Sequence, residues 1–221
     1  MIVWSGGCDS TLLLEQYGKV GAAWGRAKSI SFSHPQIGHS QVQKVARQKI
    51  LAELRKRDYE ICHLEVELTS EGDKVFAEPG DGLIQPIIWL AMAMPYLAKD
   101  ETLYMGYVQS DDIWHRRENL FGAFDHLAKL MGKEGKLELP LEWYTKTTVY
   151  QQLQRKGLLD LCWTCENPQG GILNAVPCNV CTPCERREEP MVLLEHLESK
   201  PSAGKAKKKA LSEPDRTGEA K

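Results

Sequence analysis

No apolar run in this 221-residue chain approaches the ~18 residues of a membrane span. Hydrophobic residues make up an ordinary 42%, against 26% charged. No basic segment followed by an apolar one precedes the first strand pattern at Met1, so a secretory leader is not expected and the expected compartment is the cytoplasm. No internal repeat divides the chain. Outside the end, acids outnumber Lys and Arg. The net charge is −2, yet residues 200–221 hold seven Lys or Arg against three acids, so their +4 leaves −6 for the rest. That balance argues against a nucleic-acid surface on the body, and direct nucleic-acid binding is not expected. The tail has almost no large apolar residue and reads as a disordered basic end. Also absent is the phosphate-loop pattern GxxxxGK followed by Ser or Thr, which excludes γ-phosphate transfer by that machinery.

What is present suits one sizeable α/β domain with an appendage. Residues 2–4 are apolar, as in a strand buried on both faces, and a helix follows from Ser10 that Gly18 is expected to close. A second strand is expected at 27–33. Ser40 and Gln43 form a capping box ahead of Val42, Val45, Ala46, Ile50, Leu51 and Leu54 at helical spacing. Residues 60–68 alternate as a strand, 86–99 form a core helix that Pro95 kinks or ends, and 102–108 form another strand. Helices near 118–131, 147–156 and 185–197 and a short segment at 139–141 complete the reading. The alternation predicts a doubly wound, mostly parallel sheet with helices on both faces and ligands beyond the carboxyl ends of its strands.

The stretch SGGCDST links the first strand to the first helix. Such a junction aims backbone N–H groups and the positive helix end at one spot, an anion cradle. Gly6 and Gly7 allow close approach, and Ser5, Ser10 and Thr11 add hydroxyls. Asp9 repels phosphate directly and so calls for Mg²⁺ between them. Cys8 reads as a small core thiol. The motif resembles the ATP pyrophosphatase (PP-loop) motif, filled in register by Ser5, Gly6, Gly7, Asp9, Ser10 and Thr11. The resemblance implies ATP as the nucleotide, pyrophosphate as the leaving group and AMP passed to a substrate oxygen.

Five of seven cysteines lie in CWTCENPQGGILNAVPCNVCTPC. Cys178, Cys181 and Cys184 bring three thiolates to one loop, and Cys162 or Cys165 would complete a tetrahedron for Zn²⁺; disulfides and an iron–sulfur cluster are the alternatives. Four closed ligands imply a structural metal. Together with the opening loop, this region resembles the 7-cyano-7-deazaguanine synthases of the queuosine pathway. The matching run is Trp163, Thr164 and Cys165, with Arg186 and Arg187 after Cys184. That register selects Cys165 as fourth ligand and leaves Cys162 spare.

The resemblance implies an adenine nucleotide α-hydrolase-like (Rossmann-type) fold. Its parts would be an ATP domain at 1–158, a four-cysteine zinc-binding segment and terminal helix at 159–198, and the basic tail at 199–221. It further implies an ATP-dependent carbon–nitrogen ligase that adenylates 7-carboxy-7-deazaguanine and uses ammonia to make first the amide and then the nitrile. A homodimer is also implied, as are Lys146 at the departing phosphate and His34 near the nucleotide. Gly106 with Asp111 or Asp112 would sit at the ligand edge of the sheet; His39 reads as a surface histidine, and Arg116 and Arg117 as a wet surface. The middle departs from the pattern at SHPQIGH, at Pro79, Gly80, Asp81 and Gly82, at DDIWHRR, and in the twelve residues between Cys165 and Cys178. Substrate recognition is where these changes fall. The competing expectations are a paralogue that stops at an amide with another amine, a tRNA sulfur transferase, and a non-catalytic nucleotide-binding module.

Overall fold

The structure, a computed structural model, describes residues 1–24, 26–35, 37–68 and 84–199. The basic tail and residues 79–82 lie outside them. Strand β1 (Ile2–Val3) is followed by α1 (Cys8–Trp24), β2 (Ala27–Ser33), α2 (Gly38–Lys56) and β3 (Ile61–Glu67). After these come α3 (Ile84–Ala93), β4 (Leu103–Met105), α4 (Arg117–Leu130), β5 (Leu137–Glu138), α5 (Lys146–Arg155) and α6 (Thr182–Ser199). The strands form one sheet in the order β3-β2-β1-β4-β5 with every pairing parallel. The architecture is doubly wound α/β.

Alternation along the central strand explains the two cores. Ile2 and Trp4 point to one face, where Leu12, Leu13, Ile50, Leu54, Val149 and Leu153 pack from α1, α2 and α5. Val3 points to the other, against Leu90 of α3, Met94 just after it, and Leu120 and Phe124 of α4. The chain therefore changes faces between β3 and β4, and β1 and β4 flank the switch point. In sheets of this kind ligands bind where the turns leaving two such strands diverge.

Several local expectations give way to tertiary contacts. Helix α1 does not stop at Gly18 but runs to Trp24, because the missing side chain makes room for Tyr59: a Cβ at Gly18 would lie 2.9 Å from that ring. The Ser40–Gln43 capping box does not form. Helix α2 begins at Gly38, and the Ser40 hydroxyl instead accepts from the His34 backbone N–H at 2.8 Å, tying the end of β2 to α2. Pro95 does end the α3 helix, which passes into a 3-10 turn at Met94–Tyr96. Among the described residues no helix is long and apolar enough to cross a membrane.

Candidate active site

The turn Ser5–Gly6–Gly7 carries the chain from β1 into α1. Gly6 adopts φ +91°, a conformation that glycine alone takes easily. The first helical bond here is Thr11 N–H to the Gly7 carbonyl at 3.0 Å, which leaves the amides ahead of it outside the helical ladder. Two hydroxyls brace the turn: Ser5 Oγ lies 3.0 Å from Ser10 Oγ and accepts from Gly7 N–H at 3.2 Å. Thr11 is different. It is fully buried, and its Oγ1 accepts the Trp4 indole N–H at 3.1 Å, so it serves the core beneath the cradle.

Lys146, the first residue of α5, reaches across to Asp9. Its Nζ lies 2.6 Å from Asp9 Oδ2 and 2.7 Å from Asp111 Oδ1. Thr145 caps that helix by accepting Thr148 N–H at 3.1 Å, and Asp111 is held by accepting Val108 N–H through Oδ2 at 2.8 Å. Burial pushes the Asp9 carboxyl upward despite the ammonium beside it. Burial also opposes the Lys146 charge, but the two carboxylates outweigh it and raise its pKa, so the lysine is cationic. Asp9 Oδ1 is buried and has no hydrogen-bond partner, a seat that a divalent cation would satisfy.

The loop after β4 fits directly against this helix start. Gly106 packs so closely that a Cβ there would lie 2.9 Å from Ser10 N and 3.0 Å from the Asp9 carbonyl carbon. Gly106 thus provides clearance rather than a ligand contact. Gly106→Ala is expected to displace the start of α1, costing about 1–3 kcal/mol in stability and weakening nucleotide binding; calorimetry on the variant checks both. Asp112 is occupied elsewhere. It pairs through both oxygens with Arg186 of α6, at 2.6 and 3.0 Å.

Beneath the turn lies a buried group that the sequence reading missed. Arg47 is 1% exposed, donates from Nη1 to the Ser5 carbonyl at 2.8 Å, and pairs with Glu65 of β3, its Nε 3.1 Å from Oε2. His63 Nε2 approaches the same carboxylate at 3.2 Å. The spacing of Arg47, Leu51 and Leu54 places the arginine on the buried stripe of α2, which was a usable signal. Burial alone would push the Glu65 carboxyl up, but hydrogen bonds from His63 and Arg47 hold it down at about 2. Its stabilising contribution is therefore complete above the ordinary glutamate value of 4.5 and lost as pH falls from there toward about 2. Glu65→Gln is expected to lower stability at pH 7 and make the acid limb of a denaturation–pH profile shallower.

A small pocket at the turn is lined by Val3, Trp4, Ser5, Phe32, Gln43 and Trp89. Its volume of about 10 Å³ is room for a single water. His34 is buried at the end of β2 with its backbone tied to α2, and it does not line this pocket; Phe32 does. The structure thus brings Ser5, Gly6, Gly7, Asp9, Ser10 and Lys146 together at one turn, with the Thr11 hydroxyl bonded to the Trp4 indole and His34 buried after β2.

The second constellation is the cysteine segment. Sulfurs of Cys165, Cys178, Cys181 and Cys184 all lie within 4.8 Å of one another, with Cys165 to Cys178 at 3.6 Å and Cys181 to Cys165 at 3.9 Å. Four sulfurs each ~2.3 Å from a single tetrahedral ion sit about 3.8 Å apart, whereas a four-iron cluster holds its thiolates on the order of 6 Å apart. The two separations given are close to the single-ion value. Asn179 takes φ 59° to turn the knuckle, and the Cys178 thiol is pulled down to about 6 chiefly by the Val180 backbone amide. Residues 166–177 fold back on themselves through paired bonds between Gln169 and Val176. Cys162 is outside the cluster. It donates to the Leu158 carbonyl and hydrogen-bonds buried Cys8, whose thiol is pushed well up by that bond and by burial.

The two constellations touch. Trp163 N–H donates to the Gly6 carbonyl at 3.0 Å, and the Thr164 methyl would lie 3.8 Å from a Cβ at Gly7. Trp163 Nε1 turns back to the Cys165 carbonyl at 2.8 Å. The cysteine segment is therefore one wall of the turn.

No family model matches the chain, and no curated protein sequence matches it. Among solved structures it is similar to a 4-thiouridine synthetase in complex with RNA with bound ATP, at 16% identity and TM-score 0.48 over 88% of this chain. It is also similar to the U34-tRNA thiolase NcsA from Methanococcus maripaludis with its 4Fe-4S cluster, at 15% identity and TM-score 0.46 over 89% of this chain. The chain spans 52% and 64% of those two chains. At such identity the likeness is one of fold. It corrects one expectation: both neighbours are named for RNA, so the acidic body does not make direct nucleic-acid binding foreign to this architecture. The physical reason is that net charge is a sum over the whole surface, while binding is decided by the local patch that meets the ligand.

Proposed function

We propose that the chain is a PP-loop enzyme that binds ATP at this turn, releases pyrophosphate and transfers AMP to an acceptor oxygen. The observation that carries the reading is the Asp9–Lys146–Asp111 cluster at the amide-rich start of α1. The turn's amides and the Ser5 and Ser10 hydroxyls would receive the phosphates. Asp9 and Asp111 would hold Mg²⁺, which neutralises phosphate charge when bound. The acceptor oxygen attacks the α-phosphorus, the bond from it to the α,β-bridging oxygen breaks, and Lys146 stabilises the charge on the departing pyrophosphate. A lysine held cationic by two carboxylates suits that role and not that of a nucleophile or base.

For the acceptor, we favour a deazaguanine carboxylate. Adenylation turns its oxygen into a leaving group; ammonia then displaces AMP to give the amide, and a second activation with loss of water gives the nitrile. Supporting this are the run Trp163, Thr164, Cys165 and its position against Gly6, together with a spacing of the four cysteine sulfurs suited to Zn²⁺. A second reading, ATP-dependent thiolation of tRNA, takes its acceptor from the activities named for the two structural neighbours. Incubation with ATP, 7-carboxy-7-deazaguanine and ammonium, in parallel with ATP, unmodified tRNA and sulfide, separates them by product mass. A nitrile supports the first reading, and thiolated tRNA without a deazaguanine product would replace it by the second.

A further inference from the structure

A buried arginine is costly unless its charge is paired and its donors are used. Arg47 meets both conditions in a way that bears on the nucleotide loop. Its Nε and Nη2 grip the two oxygens of Glu65, and Nη1 reaches the Ser5 carbonyl at 2.8 Å. Its Cγ lies under Gly6, 2.9 Å from where a Cβ would be, so the stem forms the floor of the turn. The carboxylate end is fixed in turn: His63 approaches Glu65 at 3.2 Å, and its other ring nitrogen lies 3.0 Å from Ser29 Oγ.

A trans peptide is planar, with its C=O and N–H pointing in opposite directions. Holding the Ser5 carbonyl down on Arg47 therefore turns the Gly6 N–H outward, away from Arg47. The geometry points to Arg47 as the positioning residue of the cradle: braced by Glu65, it sets the Ser5–Gly6 peptide plane and so aims the Gly6 N–H at the phosphates of the bound nucleotide. The inference rests on the ATP reading above and goes beyond it, because Arg47 touches no ligand and belongs to no part of the SGGCDST motif.

The test compares ATP with adenosine, since a residue that aims a phosphate donor acts on one and not on the other. ATP binding is measured by titration calorimetry and adenosine binding by ligand-observed NMR, for wild type, Arg47→Met and Arg47→Lys. Methionine keeps the apolar stem and removes the donors. Arg47→Met is expected to weaken ATP binding roughly ten- to a hundredfold while adenosine binding stays within about twofold. Arg47→Lys, which can still reach one carbonyl, is expected to recover part of the loss. If the methionine variant does not fold, the lysine variant carries the comparison with a smaller but still ATP-selective loss. Unchanged ATP affinity, or equal loss of ATP and adenosine, would overturn the inference. Wild type that binds adenosine but not ATP would overturn the pyrophosphatase reading and this inference with it.

Discussion

Lys146→Met is expected to lower ATP-dependent pyrophosphate release on the order of a thousandfold, with Asp9→Asn losing a comparable factor. The lysine effect follows from where charge grows. Pyrophosphate leaves with an extra negative charge, and the Lys146 ammonium is the cation that α5 carries in beside Asp9 and Asp111. Without it those two carboxylates face each other unscreened, and the already raised Asp9 carboxyl rises further. A companion result separates this account from simple misfolding. In the absence of nucleotide the ammonium competes with a divalent cation for the same oxygens, so Lys146→Met is expected to bind Mn²⁺ more tightly than wild type as turnover collapses. Electron paramagnetic resonance of added Mn²⁺ reads that change; weaker Mn²⁺ binding in the variant would contradict it.

Removal of the metal is expected to cost the nucleotide site as well as the cysteine segment. A structural zinc contributes on the order of 10 kcal/mol to the folding of the segment that binds it, and here that segment donates Trp163 N–H to the Gly6 carbonyl. Its helix α6 also anchors Asp112 through Arg186. Cys178→Ser is therefore expected to lose the metal, lower the melting temperature and weaken ATP binding at least about tenfold. Cys162→Ala, outside the ligand cluster, should keep a full metal complement. Elemental analysis with calorimetry checks this: the account expects one zinc per chain. Four irons per chain with a visible absorption band would contradict the account.

The parts legible in the sequence were those whose chemistry is contiguous. Residues 5–11 announced a strand-to-helix anion cradle because the glycines, hydroxyls and acid stand side by side, and the doubly wound sheet followed from the alternation of strand and helix patterns. The overlapping CxxC steps similarly pointed to a shared metal. Choices that depend on distant partners were not legible. Nothing local says that Ser40 will serve the His34 amide and not its own helix, or that Tyr59 will fill the space above Gly18 and let α1 run on. Thr11 fits the motif, yet the Trp4 indole claims its hydroxyl. Arg47 was passed over because a charged residue in an amphipathic helix is ordinarily solvated; its partners, Ser5 and Glu65, come from two other strands' ends and edges. Sequence places Asp111 or Asp112 at the ligand edge of the sheet without choosing between them, and only the fold brings Asp111 to Lys146.

The claim beneath all of this is that the site breaks ATP between its α- and β-phosphorus atoms. Phosphorus-31 NMR of ATP incubated with the protein, Mg²⁺ and the acceptor that yields product tests it most directly. The account predicts AMP and pyrophosphate in equal amounts; ADP and inorganic phosphate would contradict it.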